Sequence, residues 1–140
     1  MTAQITRTDD LAACHAIRRV VFIDEQAVPE ELEMDDLDGE AIHLLATVDG
    51  RPAGTARLLL RDEVGKIGRV AVLADRRGTG LGAALIRAAL DELRAVPGVT
   101  TAKLGAQVHA LGFYERLGFT AFGPVYDDAG IPHRDMTRPL

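Results

Sequence analysis

The chain has one cysteine, Cys14, no tryptophan, and only 4% aromatic residues in 140. A single thiol cannot close an internal disulfide, and no cysteine pair is spaced for zinc, which suits a reducing compartment and predicts no metal site. No apolar run approaches the ~20 residues that span a bilayer. The first residues, Met1 to Asp10, lack the basic start and apolar middle of a secretory signal. Linkers, low-complexity tracts and internal repeats are also missing. These absences predict a cytoplasmic protein with no membrane partner. The net charge of −5 leaves no basic stripe for nucleic acid.

What is present is ordinary globular material, 47% hydrophobic and 26% charged, sized for one domain over residues 1–140. The acid is uneven. Between Asp24 and Glu40 there are nine carboxylates and no lysine or arginine, whereas Arg57 to Arg94 is much more basic. One part of the surface then suits a cation and another an anion, although a purely solubilising acidic loop reads the same way.

Ala3–Thr6 is expected to form a first strand. Leu11, Cys14, Ile17 and Val21 recur at helical spacing, so Asp10–Phe22 reads as an amphipathic helix with Thr8 or Asp9 as its cap. Ile42–Val48 and Ala53–Leu60 are β-rich runs around Asp49-Gly50, a pair that favours a tight hairpin. A turn at Asp62–Gly65 leads to a third strand, Lys66–Leu73. Leu81, Leu85, Ala89, Leu93 and Val96 mark a long helix closed by Pro97-Gly98. Strands are expected at Thr100–Ala106, Phe119–Val125 and Arg134–Thr137. A short helix, His109–Leu117, lies between the first two, and Gly118 occupies the left-handed cap position. The sum is an α+β, or mixed α/β, domain around one sheet.

Chemistry concentrates in Arg76-Arg77-Gly78-Thr79-Gly80-Leu81-Gly82-Ala83, between a strand and a helix. Glycine lets the backbone approach a ligand, and the first helical turn offers N–H groups with no internal partner. With the helix dipole and two arginines this makes a phosphate site. The Gly-Lys-Ser/Thr ending of a nucleoside-triphosphate loop is missing. Gly78 to Ala83 fits the dinucleotide pattern, but it follows an antiparallel meander, and the next strand offers Lys103 instead of an acid for the ribose.

Arg77-Gly78-Thr79-Gly80-Leu81-Gly82 resembles the R/Q-x-x-G-x-G/A signature of the GNAT N-acetyltransferases, and Val70-Ala71-Val72 looks like that family's fourth strand. Ala110-Leu111-Gly112-Phe113-Tyr114-Glu115-Arg116-Leu117-Gly118-Phe119 resembles its second motif. Val21-Phe22-Ile23-Asp24-Glu25-Gln26, Ala106-Gln107 and Gly130-Ile131-Pro132-His133 are similar to its ElaA/YjcF-like branch. The resemblance implies a GNAT fold: a mostly antiparallel, mixed central sheet flanked by helices and splayed to admit acetyl-coenzyme A. It also implies transfer of an acetyl group directly to an amine.

For the residues, the resemblance implies that the Val70 backbone N–H faces the thioester oxygen and that Val72 bonds the pantetheine arm. Arg76, Arg77, Gly78, Thr79, Gly80, Gly82 and Ala83 would line the pyrophosphate, and Gln107 would touch the coenzyme. Tyr114 matches the tyrosine that protonates the departing thiolate, a phenol being a neutral donor near pH 7. Lys66 stands where some members carry a glutamate base. The candidates for the base are therefore Glu25, Glu33, His43, His109 and His133, or a water they hold. Glu31, Glu33, Arg57 and His133 are candidates for the acceptor site, with Arg57 and Arg69 alternatively pairing with the acidic segment. A small-molecule primary amine is the expected partner, with a protein N-terminus as the alternative acceptor and a homodimer left open. A non-catalytic acyl-coenzyme A sensor is the rival of another class.

Overall fold

A computed structural model describes residues 2–140. Strand β1 (Ala3–Thr8) leads to helix α1 (Leu11–Arg18), which widens into a π-helical stretch, Arg19–Glu25. The single-turn helix α2 (Glu30–Glu33) and a 3-10 turn at Asp38–Glu40 follow. The meander is β2 (Ile42–Val48), β3 (Arg51–Arg61) and β4 (Val64–Val72). Then come helix α3 (Leu81–Arg94), β5 (Thr101–Gln107), α4 (Leu111–Glu115), β6 (Thr120–Asp128) and β7 (Ile131–Pro139). This is the expected α+β architecture.

Local chemistry explains most boundaries. Asp49 and Gly50 both take positive φ, 51° and 80°, the pairing a two-residue hairpin needs. Gly118 closes α4 at φ 91°. Two expectations are corrected. The N-cap of α1 is Asp10, whose carboxylate accepts from Ala13 N at 3.1 Å, while Thr8 Oγ1 accepts from Asp10 N at 3.0 Å. The expected helix through Phe22 is α-helical only to Arg18. Beyond it the wider π-helical register, which hydrophobic spacing does not distinguish, carries the chain to Glu25.

The seven strands form one sheet in the order β1-β2-β3-β4-β5-β7-β6. All neighbours are antiparallel except β4 and β5, which run parallel because α3 crosses between them. That pairing is short: Val64↔Thr101, Gly65↔Ala102 and Lys66↔Lys103, and there it stops. Strand β5 continues along β7 as far as Gln107↔His133. From Ile67 onward, the side of β4 turned toward β5 has no strand partner, and the sheet opens.

Leu81, Leu85, Ala89 and Leu93 of α3 are buried as expected, packing with Leu44, Leu58 and Ile67 of the meander and with Met136. Cys14 is fully buried in α1, where burial pushes its thiol up from the ordinary range. It behaves as a core side chain.

Candidate active site

A cavity of about 430 Å³ occupies the opening between β4 and β5. Val70 from β4, Leu104 and Gln107 from β5 and Tyr114 from α4 stand in its wall, with Phe22 from the π-helical segment and Gln26 just after it. The π-helix thus has a structural consequence, since it brings Phe22 into the cavity wall.

On β4 the register shifts: Thr55 faces Ala71 but Arg57 faces Gly68, so Arg69 and Val70 together oppose Ala56. This is a β-bulge. Arg69 holds φ 49°, a region that non-glycine residues adopt at a cost. Backbone strain of this kind persists only where packing enforces it. Here the ties are hydrogen bonds: Arg69 Nη2 donates to the carbonyls of Leu32 and Glu33 at 3.2 and 3.1 Å. The bulge lies in the stretch of β4 that has no β5 partner.

Past β4, Gly78 and Gly80 take φ 75° and 86°, and a Cβ on either would meet nothing within 4 Å. Their glycine requirement is conformational. Gly80 caps α3 without a side chain, and the first intrahelical bond runs from Ala84 N to Gly80 O at 3.0 Å. The N–H groups of the first turn are therefore uncapped and point beyond the helix end, the arrangement that receives an anion. Thr79 Oγ1 donates to Arg76 O at 2.6 Å, and Arg77 Nε donates to Val72 O at 3.0 Å. Gly82 and Ala83 belong to that first turn. The parts fit a diphosphate followed by an extended arm along β4.

Tyr114 is packed edge-on by Phe113 and Phe119, with ring centroids 5.0 and 6.1 Å away. Burial pushes its phenol up to about 12. It is a protonated donor at neutral pH.

The acidic segment folds onto arginines. Arg18, only 1% exposed, donates to Asp38 Oδ1 at 2.8 Å and to Glu33 Oε1. Arg57 grips Asp35 at 2.7 and 3.0 Å and reaches Asp38 at 3.1 Å. Arg69 completes the set against Asp35 at 3.3 Å. Burial alone would raise the Asp38 carboxyl, but hydrogen bonds from Arg18 and His15 outweigh it and hold the group well below the carboxylate range. Asp35 is likewise lowered, with burial opposed by Arg57. Of the two readings for Arg57 and Arg69, the structure displays the pairing with the acidic segment.

The candidate bases are sorted by place. Glu25 lies at the turn before α3, bound to Arg77 Nη2 at 2.6 and 3.1 Å. His43 is buried and donates from Nε2 to Asp38 O at 2.9 Å, away from the cavity wall. His109 Nε2 meets Gln107 Oε1 at 2.7 Å. Glu33 and Arg57 reach the wall with their charges engaged, and Glu31 is exposed outside it. His133 stands in the wall. Gln107 donates to Gln26 Oε1 at 3.1 Å, linking the two sides of the opening. Sequence reasoning gave no role to Phe22, Gln26 or the hub Arg18. The first two sit in a quoted motif, whereas nothing in the pattern singles out Arg18.

A splayed sheet, a bulged strand, an uncapped helix start and a half-buried phenol make up the site of an acyltransferase. The chain matches the family model for the acetyltransferase (GNAT) domain over residues 9–140. It is 34% identical over 140 residues to the uncharacterized N-acetyltransferase YjcF of Bacillus subtilis, covering 99% of both chains. Its structure is similar to an acyl-CoA N-acyltransferase from Pseudomonas aeruginosa, with TM-score 0.87, 34% identity and coverage of 98% and 99%. It is also similar to Escherichia coli ElaA, with TM-score 0.81, 32% identity and coverage of 98% for both. The chain belongs to the GNAT acetyltransferase family, in the ElaA/YjcF-like branch.

Among the described residues no helix is long and apolar enough to cross a membrane.

Proposed function

We propose that the protein moves the acetyl group of acetyl-coenzyme A directly to the primary amine of a small molecule. The observation that carries this reading is that Val70 and Tyr114 share one cavity, beside the stretch of β4 that has no β5 partner. Residues Gly78 to Ala83 and Arg77 hold the diphosphate, and the free side of β4, with Val72, holds the pantetheine arm. The neutral amine nitrogen attacks the thioester carbonyl carbon. The oxygen gains charge facing the Val70 N–H, a donor fixed before the reaction begins. Collapse breaks the C–S bond, and the Tyr114 hydroxyl gives its proton to the sulfur. The proton left on the new amide nitrogen returns to the phenolate.

The acceptor would enter a concave cavity of about 430 Å³, a volume in the range of small-molecule sites, which favours a small acceptor. Arg77 is held by Glu25 and Val72 O, so the turn is ordered before ligand arrives. Release of free thiol from acetyl-coenzyme A across a panel of small amines tests the proposal. Turnover on at least one amine is expected. Coenzyme binding with no turnover on any amine would point to a sensor instead.

A further inference from the structure

We propose that His133 is the general base of this site, taking at Nε2 the proton that the acceptor's ammonium must lose. The inference rests on the amine-acetylation reading above. His133 Nδ1 lies 2.7 Å from the carbonyl of Ile131 in its own strand. A carbonyl only accepts, so Nδ1 carries the hydrogen and Nε2 keeps its lone pair in the neutral ring. The ring lies nearly parallel to Tyr126, with centroids 5.9 Å apart and planes at 23°. Strand pairing holds it from both sides, against Gln107 of β5 and Tyr126 of β6. The imidazole is thereby fixed in tautomer and in place, in the same cavity wall as Val70 and Tyr114.

The other candidates stand outside the cavity wall or have their charge engaged within it. Glu25 is tied to Arg77, and His43 lies away from this cavity, with Nε2 donating to Asp38 O. Glu33 is held by Arg18. His109 is bound to Gln107 outside the wall. Nε2 of His133 has no protein partner among the described residues.

The step balances simply. The N–H bond of the ammonium breaks, its electron pair stays on nitrogen, and the proton forms a bond to Nε2. The neutral amine then attacks, and the imidazolium later releases its proton to water. The groups that could disturb this titration are few on the near side: Tyr126 and Asp128 of β6 and Tyr114 of α4. Tyr126 donates to Asp135 Oδ1 at 2.7 Å, and both phenols stay protonated through the working range. Across the cavity, Glu33 and Asp35 are paired with Arg18, Arg57 and Arg69. Lys66 of β4 is the remaining cation in the wall.

The test is steady-state kinetics of the full chain and of His133→Gln with acetyl-coenzyme A and the best amine from the panel, between about pH 7 and 10. The expected result is a kcat lower by about 10²–10⁴-fold near pH 7, with coenzyme affinity kept. The loss should shrink as pH rises, because the amine then arrives already neutral. A kcat within twofold of the parent, a loss equal at every pH, or a change in KM alone would overturn the assignment. His133→Asn serves as the second variant should Gln fail to bind coenzyme. Absence of turnover by the parent on every amine would remove the amine-acetylation reading itself, whereas an active parent with an unaffected variant removes only the base.

Discussion

Glu25 and Arg77, 52 residues apart in sequence, meet at the turn that opens α3, with Oε2 2.6 Å from Nη2. The carboxylate orders the arginine, and it also places a negative charge beside the site proposed for a diphosphate. Glu25→Gln is expected to tighten coenzyme A binding by about two- to fivefold, the scale of a half-exposed ion pair. Salt should diminish the gain, because exposed charges are screened. Isothermal titration at low and high ionic strength checks it, and looser binding would show that ordering outweighs repulsion.

Tyr114→Phe keeps the packing against Phe113 and Phe119 and removes only the proton donor. We expect kcat to fall by about 10²-fold or more while coenzyme affinity holds. Unchanged turnover in a stopped thiol-release assay would take Tyr114 out of the acid role.

Gly80→Val introduces a β-branched side chain at φ 86°. The strain costs about 1–3 kcal/mol, and its relief shifts the amides that begin α3. Weaker coenzyme binding with a lower Tm is the expected pair of changes, read by titration and thermal denaturation. Full affinity would contradict the role assigned to the turn.

Arg18→Leu leaves the buried Glu33 without its close ion-pair partner and takes from Asp38 one of its cationic partners, a loss of about 3–5 kcal/mol. The pH dependence follows from Asp38, whose folded carboxyl lies below its unfolded value. Its contribution is fully present above the unfolded value of about 3.9 and is lost as pH falls further, toward the folded value. Urea denaturation from neutral pH downward should show stability falling below about pH 4 in the parent and a flatter profile in the variant. Parallel profiles would exclude Asp38 as the source.

Much of the fold was written in local pattern. The hairpin at Asp49-Gly50, the buried face of α3 and the cap at Gly118 are each set by a few neighbouring residues, and each stands where expected. The π-helical stretch was not legible, because Ile17, Val21 and Phe22 satisfy either register over so short a span. The reach of the acidic segment was equally hidden. A run of nine carboxylates looks like a solvated loop until Arg18, Arg57 and Arg69 are brought beneath it from a helix and two strands.

By itself the sequence determined the glycine turn before α3, the helix faces and the tyrosine motif, because these depend on backbone preference and residue spacing within one segment. Only the tertiary structure decided that β4 and β5 part after Lys66, that Glu33, Asp35 and Asp38 are neutralised from within, and which histidine meets the cavity. Those outcomes depend on distances between chain segments far apart in sequence, and such distances are fixed when the whole sheet packs.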